Sequence, residues 1–118
     1  MKDPLQQALI IQRNAKKLGF DWKTLTPVLE KLEEEIKEVS EAIEGGCEEN
    51  IEEEMGDLIF QWINLCRHLN LCPTVTLLKA TEKFKKRLDQ VFSLGKNDLS
   101  ILTEKELDDL WKKAKEIL

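Results

Sequence analysis

Apolar residues return every three or four positions through most of this chain, the period of helices that each bury one side. Asp3-Pro4 is an N-cap and first-turn pair, and Leu5, Leu9, Ile10 and Gln12 lead a first helix toward Leu18, where Gly19 stops it. Thr26-Pro27 opens a second helix that runs to about Glu44, with Val28, Leu32, Val39 and Ile43 on one stripe and Leu29 and Ile36 beside it. After Gly45-Gly46, a third helix from near Glu48 to about Asn70 carries a heptad-like seam of Ile51, Met55, Leu58, Trp62, Leu65 and Leu69, and reads as the longest, most apolar and central one.

Cys72-Pro73-Thr74 breaks the chain, with Thr74 as the cap of a fourth helix whose inward side is Val75, Leu78, Thr81, Phe84, Leu88 and Val91. Gly95 and Asn97 end it, and a polar loop runs to Ser100. Thr103-x-x-Glu106 is a capping box that opens the last helix, with Leu107, Leu110, Trp111, Ala114 and Leu118 as its apolar face. The pattern predicts an all-α fold, an antiparallel bundle of four to five helices. Phe20-Asp21-Trp22 is an aromatic connector, either a packed loop or a wall for a ligand.

Two acids interrupt the apolar stripes. Glu35 lies at i+3 from Leu32 and i−4 from Val39, and Glu54 at i+3 from Ile51 and i−4 from Leu58, so both point toward the core. Glu38 and Asp57 each follow three residues later, with β-carbons about 5–6 Å from the first acid of the pair. If the helices are antiparallel about Gly45-Gly46, both pairs lie about 14 Å from the turn and face each other. Four converging carboxylates lose hydration at a cost of roughly several kcal/mol per unpaired ion, and a cation resolves this. With no His or Cys at ligand spacing, the oxygen donors favour Mg²⁺ or Mn²⁺ over Zn²⁺. Glu30, Glu33, Glu41, Glu44, Glu48, Glu49, Glu52 and Glu53 read as solvated faces.

Length and composition narrow the class. At 118 residues the chain suits one domain spanning 1–118, and 42% hydrophobic with 35% charged residues suits a soluble helical protein. A formal charge of −5 argues against a general nucleic-acid binder. The start, MKDPLQQALIIQ, lacks the apolar core of a signal peptide, and no run is long enough to span a membrane, so the expectation is a cytoplasmic protein. Cys47, Cys66 and Cys72 lack CxxC spacing and read as reduced thiols. His68, the only histidine, reads as a surface or interhelical residue, and there is no glycine-rich phosphate loop. Two basic sets stand apart from the acids. Lys79, Lys83 and Arg87 form a ladder that is either a phosphate contact or a solvated face with Glu82 and Asp89. Trp111 and Lys115 either stack a base and neutralise a phosphate or pack with a snorkelling Lys.

The ordered words Gly19 to Trp22 (GFDW), Glu34-Glu35-Ile36-Lys37-Glu38, Glu52 to Phe60 (EEEMGDLIF), Ile63 to Leu69 (INLCRHL), Lys83 to Arg87 (KFKKR) and Leu110 to Lys115 (LWKKAK) carry a resemblance. The chain resembles the MazG-type, all-α nucleoside triphosphate pyrophosphohydrolases, and over nearly its whole length it is similar to their C-terminal catalytic domain. The resemblance implies a dimerising helical bundle that binds Mg²⁺ through Glu35, Glu38, Glu54 and Asp57, with Glu34 as a base or outer ligand and Lys83, Arg87, Trp111 and Lys115 on the nucleotide. Thr81 stands where related sequences often carry Asn, with one hydrogen-bonding function fewer.

The implied reaction is hydrolysis of a nucleoside triphosphate between the α and β phosphates, giving monophosphate and pyrophosphate, with Glu34 or Glu38 accepting the water proton. A small bundle has little concavity for a nucleotide, which favours a site completed in a homodimer, with a tetramer as the alternative. Two other readings stand beside this one: a non-catalytic helical interaction module that retains the fold, and a metal-dependent catalyst for a nucleotide-like substrate other than a triphosphate.

Overall fold

The computed structural model describes residues 3–95 and 99–117. Asn97 and Leu118, named above as a helix end and as part of an apolar face, lie outside them. The described residues form five α-helices and a short 3-10 turn, with no strand among them, so the fold is all-α. Contacts divide the chain into two compact units, Met1–Val75 and Thr76–Leu118.

In the first unit, α1 (Pro4–Lys17) begins as expected. The Asp3 carboxylate accepts from the Leu5 N–H at 3.0 Å, and Pro4 occupies a first-turn position where no N–H is needed. The second helix, α2 (Leu25–Gly45), starts before Thr26-Pro27. Thr24 is the extended residue ahead of it, and Pro27 sits inside the first turn, where a missing N–H breaks no intrahelical bond. The third helix, α3 (Glu48–His68), ends earlier than its apolar pattern because Asn70 takes a left-handed φ of 59° and the Leu71 N–H turns back to the Cys66 carbonyl at 2.8 Å. The next helix, α4 (Pro73–Gly95), begins at Pro73 and not after a Thr74 cap. The Thr74 hydroxyl instead donates to the Asp3 carboxylate at 2.6 Å.

α3 is central to this unit, packed against both α1 and α2. That double contact rotates its buried arc away from the expected seam. Met55 and Leu69 are exposed, whereas Gln61, Ile63, Asn64 and Cys66 are buried. Two amides span the packed surfaces: Gln12 Nε2 donates to the Phe60 carbonyl at 2.9 Å, and Gln61 Nε2 to the Val28 carbonyl at 3.4 Å.

The turn between α2 and α3 depends on Gly46, which caps α2 in the left-handed region at φ 73° while its N–H bonds the Ala42 and Ile43 carbonyls. A Cβ at either Gly45 or Gly46 would meet nothing within 4 Å, so only the backbone distinguishes them. Gly46→Ala is expected to destabilise by about 1–2 kcal/mol, the left-handed penalty of an L-residue. Gly45→Ala, at a helical position, should stabilise by roughly 0.5–1 kcal/mol. Urea denaturation of the two variants reads the opposite signs, and equal effects would remove the cap from this account.

The second unit holds most of α4, the 3-10 turn Leu99–Ile101 and α5 (Glu104–Ile117). The turn occupies what reads from sequence as a polar loop. The capping box forms in both directions: the Glu106 N–H donates to Thr103 Oγ1 at 3.1 Å and the Thr103 N–H to Glu106 Oε1 at 3.0 Å. α5 has 14 residues against 23 in α4, so it covers only part of the expected inward side. Val91 and Ala114 are buried, while Val75, Leu78 and Phe84 remain exposed.

Candidate active site

α2 and α3 run antiparallel from the Gly46 turn with a constant register. Val28 meets Gln61 and Glu35 meets Glu54, so in both pairs the α3 residue stands three positions nearer Gly46 than its α2 partner. This brings one carboxylate oxygen from each of Glu35, Glu38 and Glu54 within 4.8 Å of the others. Glu35 is 6% exposed, and Oε2 of both Glu35 and Glu54 is buried without a hydrogen-bond partner.

Burial pushes the Glu35 carboxyl above the usual carboxylate range, and the adjacent Glu38 carboxylate pushes it the same way. Lys31, one turn back on α2 with Nζ 3.4 Å from Glu35, opposes the shift. A single half-exposed ammonium does not satisfy three carboxylates. Buried oxygens left without donors, in a set made only of oxygen, fit a hard divalent cation. Asp57, the fourth expected ligand, is exposed one turn further along α3 and outside the three-carboxylate group. Glu34 stands at the rim, its exposed side chain paired with Lys31 at 3.5 Å.

In the second unit α4 and α5 bring Arg87 and Trp111 together. The guanidinium carbon lies 5.9 Å from the indole centroid, and the Phe84 ring is 5.2 Å from the same indole. Lys83 and Lys115, one turn from Arg87 and Trp111 respectively, are exposed. The aromatic-cation pair therefore joins two helices, where the sequence suggested Trp111 with Lys115 on one.

Residues 23–92 match the family described as the MazG nucleotide pyrophosphohydrolase domain. The chain belongs to the MazG family. It is 45% identical over 114 residues to the nucleoside triphosphate pyrophosphohydrolase/pyrophosphatase MazG of Thermotoga maritima, and the alignment covers 94% of this chain and 44% of that protein. It is 36% identical over 116 residues to the nucleoside triphosphate pyrophosphohydrolase of Escherichia coli K12, again covering 94% of this chain and 44% of the relative. The chain thus spans less than half the length of these curated relatives. The MazG match takes in α2, α3 and most of α4, and with them every expected acidic ligand together with Lys83 and Arg87.

Lys31 and Asp21 make contacts here that sequence patterning did not predict. Lys31 is legible in hindsight, since it stands at i−3 and i−4 from Glu34 and Glu35. Asp21 is not, because its partners lie 46 and 47 residues away. Its carboxylate receives Arg67 Nη1 and Nη2 at 2.9 and 2.8 Å, and His68 Nε2 lies 3.0 Å from it. The Arg67 guanidinium holds the Asp21 carboxyl well below its usual range, with His68 acting in the same sense and burial opposing. His68 is accordingly a largely buried partner of the α1–α2 connector.

The rings flanking Asp21 are not packed. Phe20 is 78% and Trp22 39% exposed. With Phe60 and the amides of Gln12, Gln61 and Asn64 they line a cavity of about 270 Å³, and Gln12 Oε1 is buried without a partner. Asp21 thus packs the connector against α3, and the two rings line the cavity. Among the described residues no helix is long and apolar enough to cross a membrane.

Proposed function

We propose that this chain hydrolyses nucleoside triphosphates, ribo- or deoxyribo-, between the α and β phosphates, releasing monophosphate and pyrophosphate. The observation that carries the reading is the Glu35, Glu38, Glu54 group, with buried, unpartnered oxygens on Glu35 and Glu54, on a chain of the MazG family. The names of the relatives describe those longer proteins as nucleoside triphosphate pyrophosphohydrolases, which supports the substrate class.

Glu35, Glu38 and Glu54, with Asp57 on the adjoining turn, would hold Mg²⁺, or Mn²⁺ in its place. When bound, such an ion neutralises phosphate oxygens and acidifies water. Glu34 is the better proton acceptor of the two acids at its disposal, because it stands outside the three-carboxylate group, one helical turn from Glu38. Lys31 holds Glu34 at the rim. Lys83, Arg87 and Lys115 would offset the charge that accumulates on the departing pyrophosphate.

Two places suit the base. Trp111, already stacked with Arg87, is one. The cavity beside Trp22 is the other, for Glu54, Asp57, Gln61 and Asn64 form one stripe of α3, and Gln61 lies about 10 Å along the axis from Glu54 at the helical rise. Ile36, Met55, Ile59 and Phe60 leave an apolar surface on α2 and α3 that suits a second copy of the chain. A homodimer is therefore proposed, with a tetramer as the alternative.

The test is a panel of NTPs and dNTPs with Mg²⁺ or Mn²⁺, scored for both pyrophosphate and monophosphate. At least one substrate should release the two in equal amounts, and Asp57→Ala should remove turnover with the helical circular dichroism unchanged. No turnover across the panel sinks the proposal. Divalent-ion titration then separates the remaining readings, since an interaction module with no catalytic role needs no cation at the Glu35 group.

A further inference from the structure

Where α3 ends, far from the Gly46 turn, the first unit carries a second cavity of about 610 Å³. Gln6, Arg13 and Lys16, at i, i+7 and i+10 on one stripe of α1, line one wall; Arg67, His68 and Cys72 line the other. No carboxylate is among its lining residues, although the chain has 23 acids against 18 Lys and Arg.

The cations here are incompletely used. Arg67 has a 10% exposed side chain and five N–H donors; two go to Asp21 and one to Asn64 at 2.6 Å, Nη2 also lies 3.2 Å from His68 Nε2, and Nε has no partner. Arg13 and Lys16 make no ion pair among the described residues. Cations in the last turns of α1 and α3 answer the negative ends of those helices, which accounts for Lys16 and Arg67. It does not account for Arg13, a turn earlier, which only adds repulsion against Lys16.

The opposite lip is positive for a different reason. Cys72 directly precedes α4, and its Sγ accepts from the Val75 and Thr74 N–H groups at the helix start and from Gln6 Nε2 at 3.4 Å. These donors, the Val75 N–H foremost, hold the thiol below its ordinary range, as expected where a local field favours an anion.

We propose that this cavity is a metal-independent binding site for a small phosphoanion, orthophosphate or pyrophosphate, gripped by Arg13 and Lys16 against Arg67. Planar guanidinium and ammonium donors on facing walls match a tetrahedral oxyanion. The site shares no residue with the carboxylate group of α2 and α3, and although Arg67 also borders the cavity beside Trp22, Arg13 and Lys16 do not, so a proposal tested through those two is independent of the triphosphatase reading.

The experiment uses the full chain in EDTA, so that the acidic group cannot hold phosphate through a metal ion. Sodium phosphate and sodium pyrophosphate are titrated by calorimetry at constant ionic strength. In parallel, alkylation of Cys72 is followed by mass spectrometry with Cys47, which is exposed and outside the cavity, as internal reference. At least one of the two anions should bind and slow alkylation of Cys72 but not of Cys47. In Arg13→Gln/Lys16→Gln, both exposed positions, affinity should fall at least about tenfold and the protection should vanish. Absence of binding by both anions overturns the proposal, as does unchanged affinity in the double variant or equal protection of both cysteines. A Cys72 that is already inert in free protein while Cys47 reacts would mean the cavity is covered by a second copy, which also overturns it.

Discussion

Glu35→Gln should remove pyrophosphate release and, in the absence of divalent ions, make the protein more stable. The two effects have one cause. Glu35 is buried, its Oε2 has no partner, and Glu38 and Glu54 crowd it, so without a cation the folded state carries a charge that it does not compensate. Replacing that charge by an amide forfeits the contact with Lys31, worth tenths of a kcal/mol at a partly exposed site, and relieves more than it loses, for a net gain on the order of 1 kcal/mol. Activity should fall at least about 100-fold, since even outer partners of metal ligands can cost that much.

The pH sign follows from the raised Glu35 carboxyl. A group whose folded-state pKa is raised stabilises most when protonated. Metal-free wild type should therefore gain stability as pH falls from neutral through that raised value toward the ordinary 4.5, and Glu35→Gln should lack the gain. Thermal denaturation with EDTA and with Mg²⁺ reads both claims. Wild type should be stabilised by Mg²⁺ through linkage and the variant should not. A variant less stable than wild type in EDTA would make Glu35 a structural residue and remove the electrostatic basis for the site.

Asp21→Ala should be the most destabilising single change in the first unit, by about 3 kcal/mol, because it leaves a guanidinium in a largely buried site without its counter-ion. The side chains of Asp21 and Arg67 are 11% and 10% exposed, so solvent screens the pair little. His68 loses its partner at the same time. The melting temperature should drop by roughly 10 °C. Here the pH dependence has the opposite sign to that of Glu35. The Asp21 carboxyl is depressed, so its stabilisation is complete above the ordinary Asp value of 3.8 and is lost as pH falls below it. A loss under about 1 kcal/mol would mean that the pair is held for geometry at the connector and not for stability.

These two residues also mark how far the sequence could be read. Glu35 and Glu54 were legible because helical period and the turn at Gly45-Gly46 are local facts, and the antiparallel register follows from them. The same holds for Asp3-Pro4 and for the Thr103–Glu106 box. Asp21 with Arg67 was not legible, since nothing local to either residue names the other. The seam of α3 misled for a related reason. Periodicity assumes one packing partner, whereas α3 has two, and the arc between them is filled by Gln61 and Asn64, whose amides bond a backbone carbonyl and Arg67. Arg87 against Trp111 was half legible: both residues stood out, and their meeting across α4 and α5 did not.

The bond from Thr74 to Asp3 has a consequence for the order in which the chain assembles. Asp3 caps α1 and at the same time accepts the Thr74 hydroxyl, so one carboxylate ties residues 71 positions apart. The α2–α3 hairpin needs only local loop closure, whereas the clasp must close nearly the whole first unit, which carries a larger entropic cost. The clasp should thus form after the folding barrier. Thr74→Val is expected to leave the folding limb of a chevron plot in place and to raise the unfolding rate, and a slowed folding limb would instead put the clasp in the nucleus.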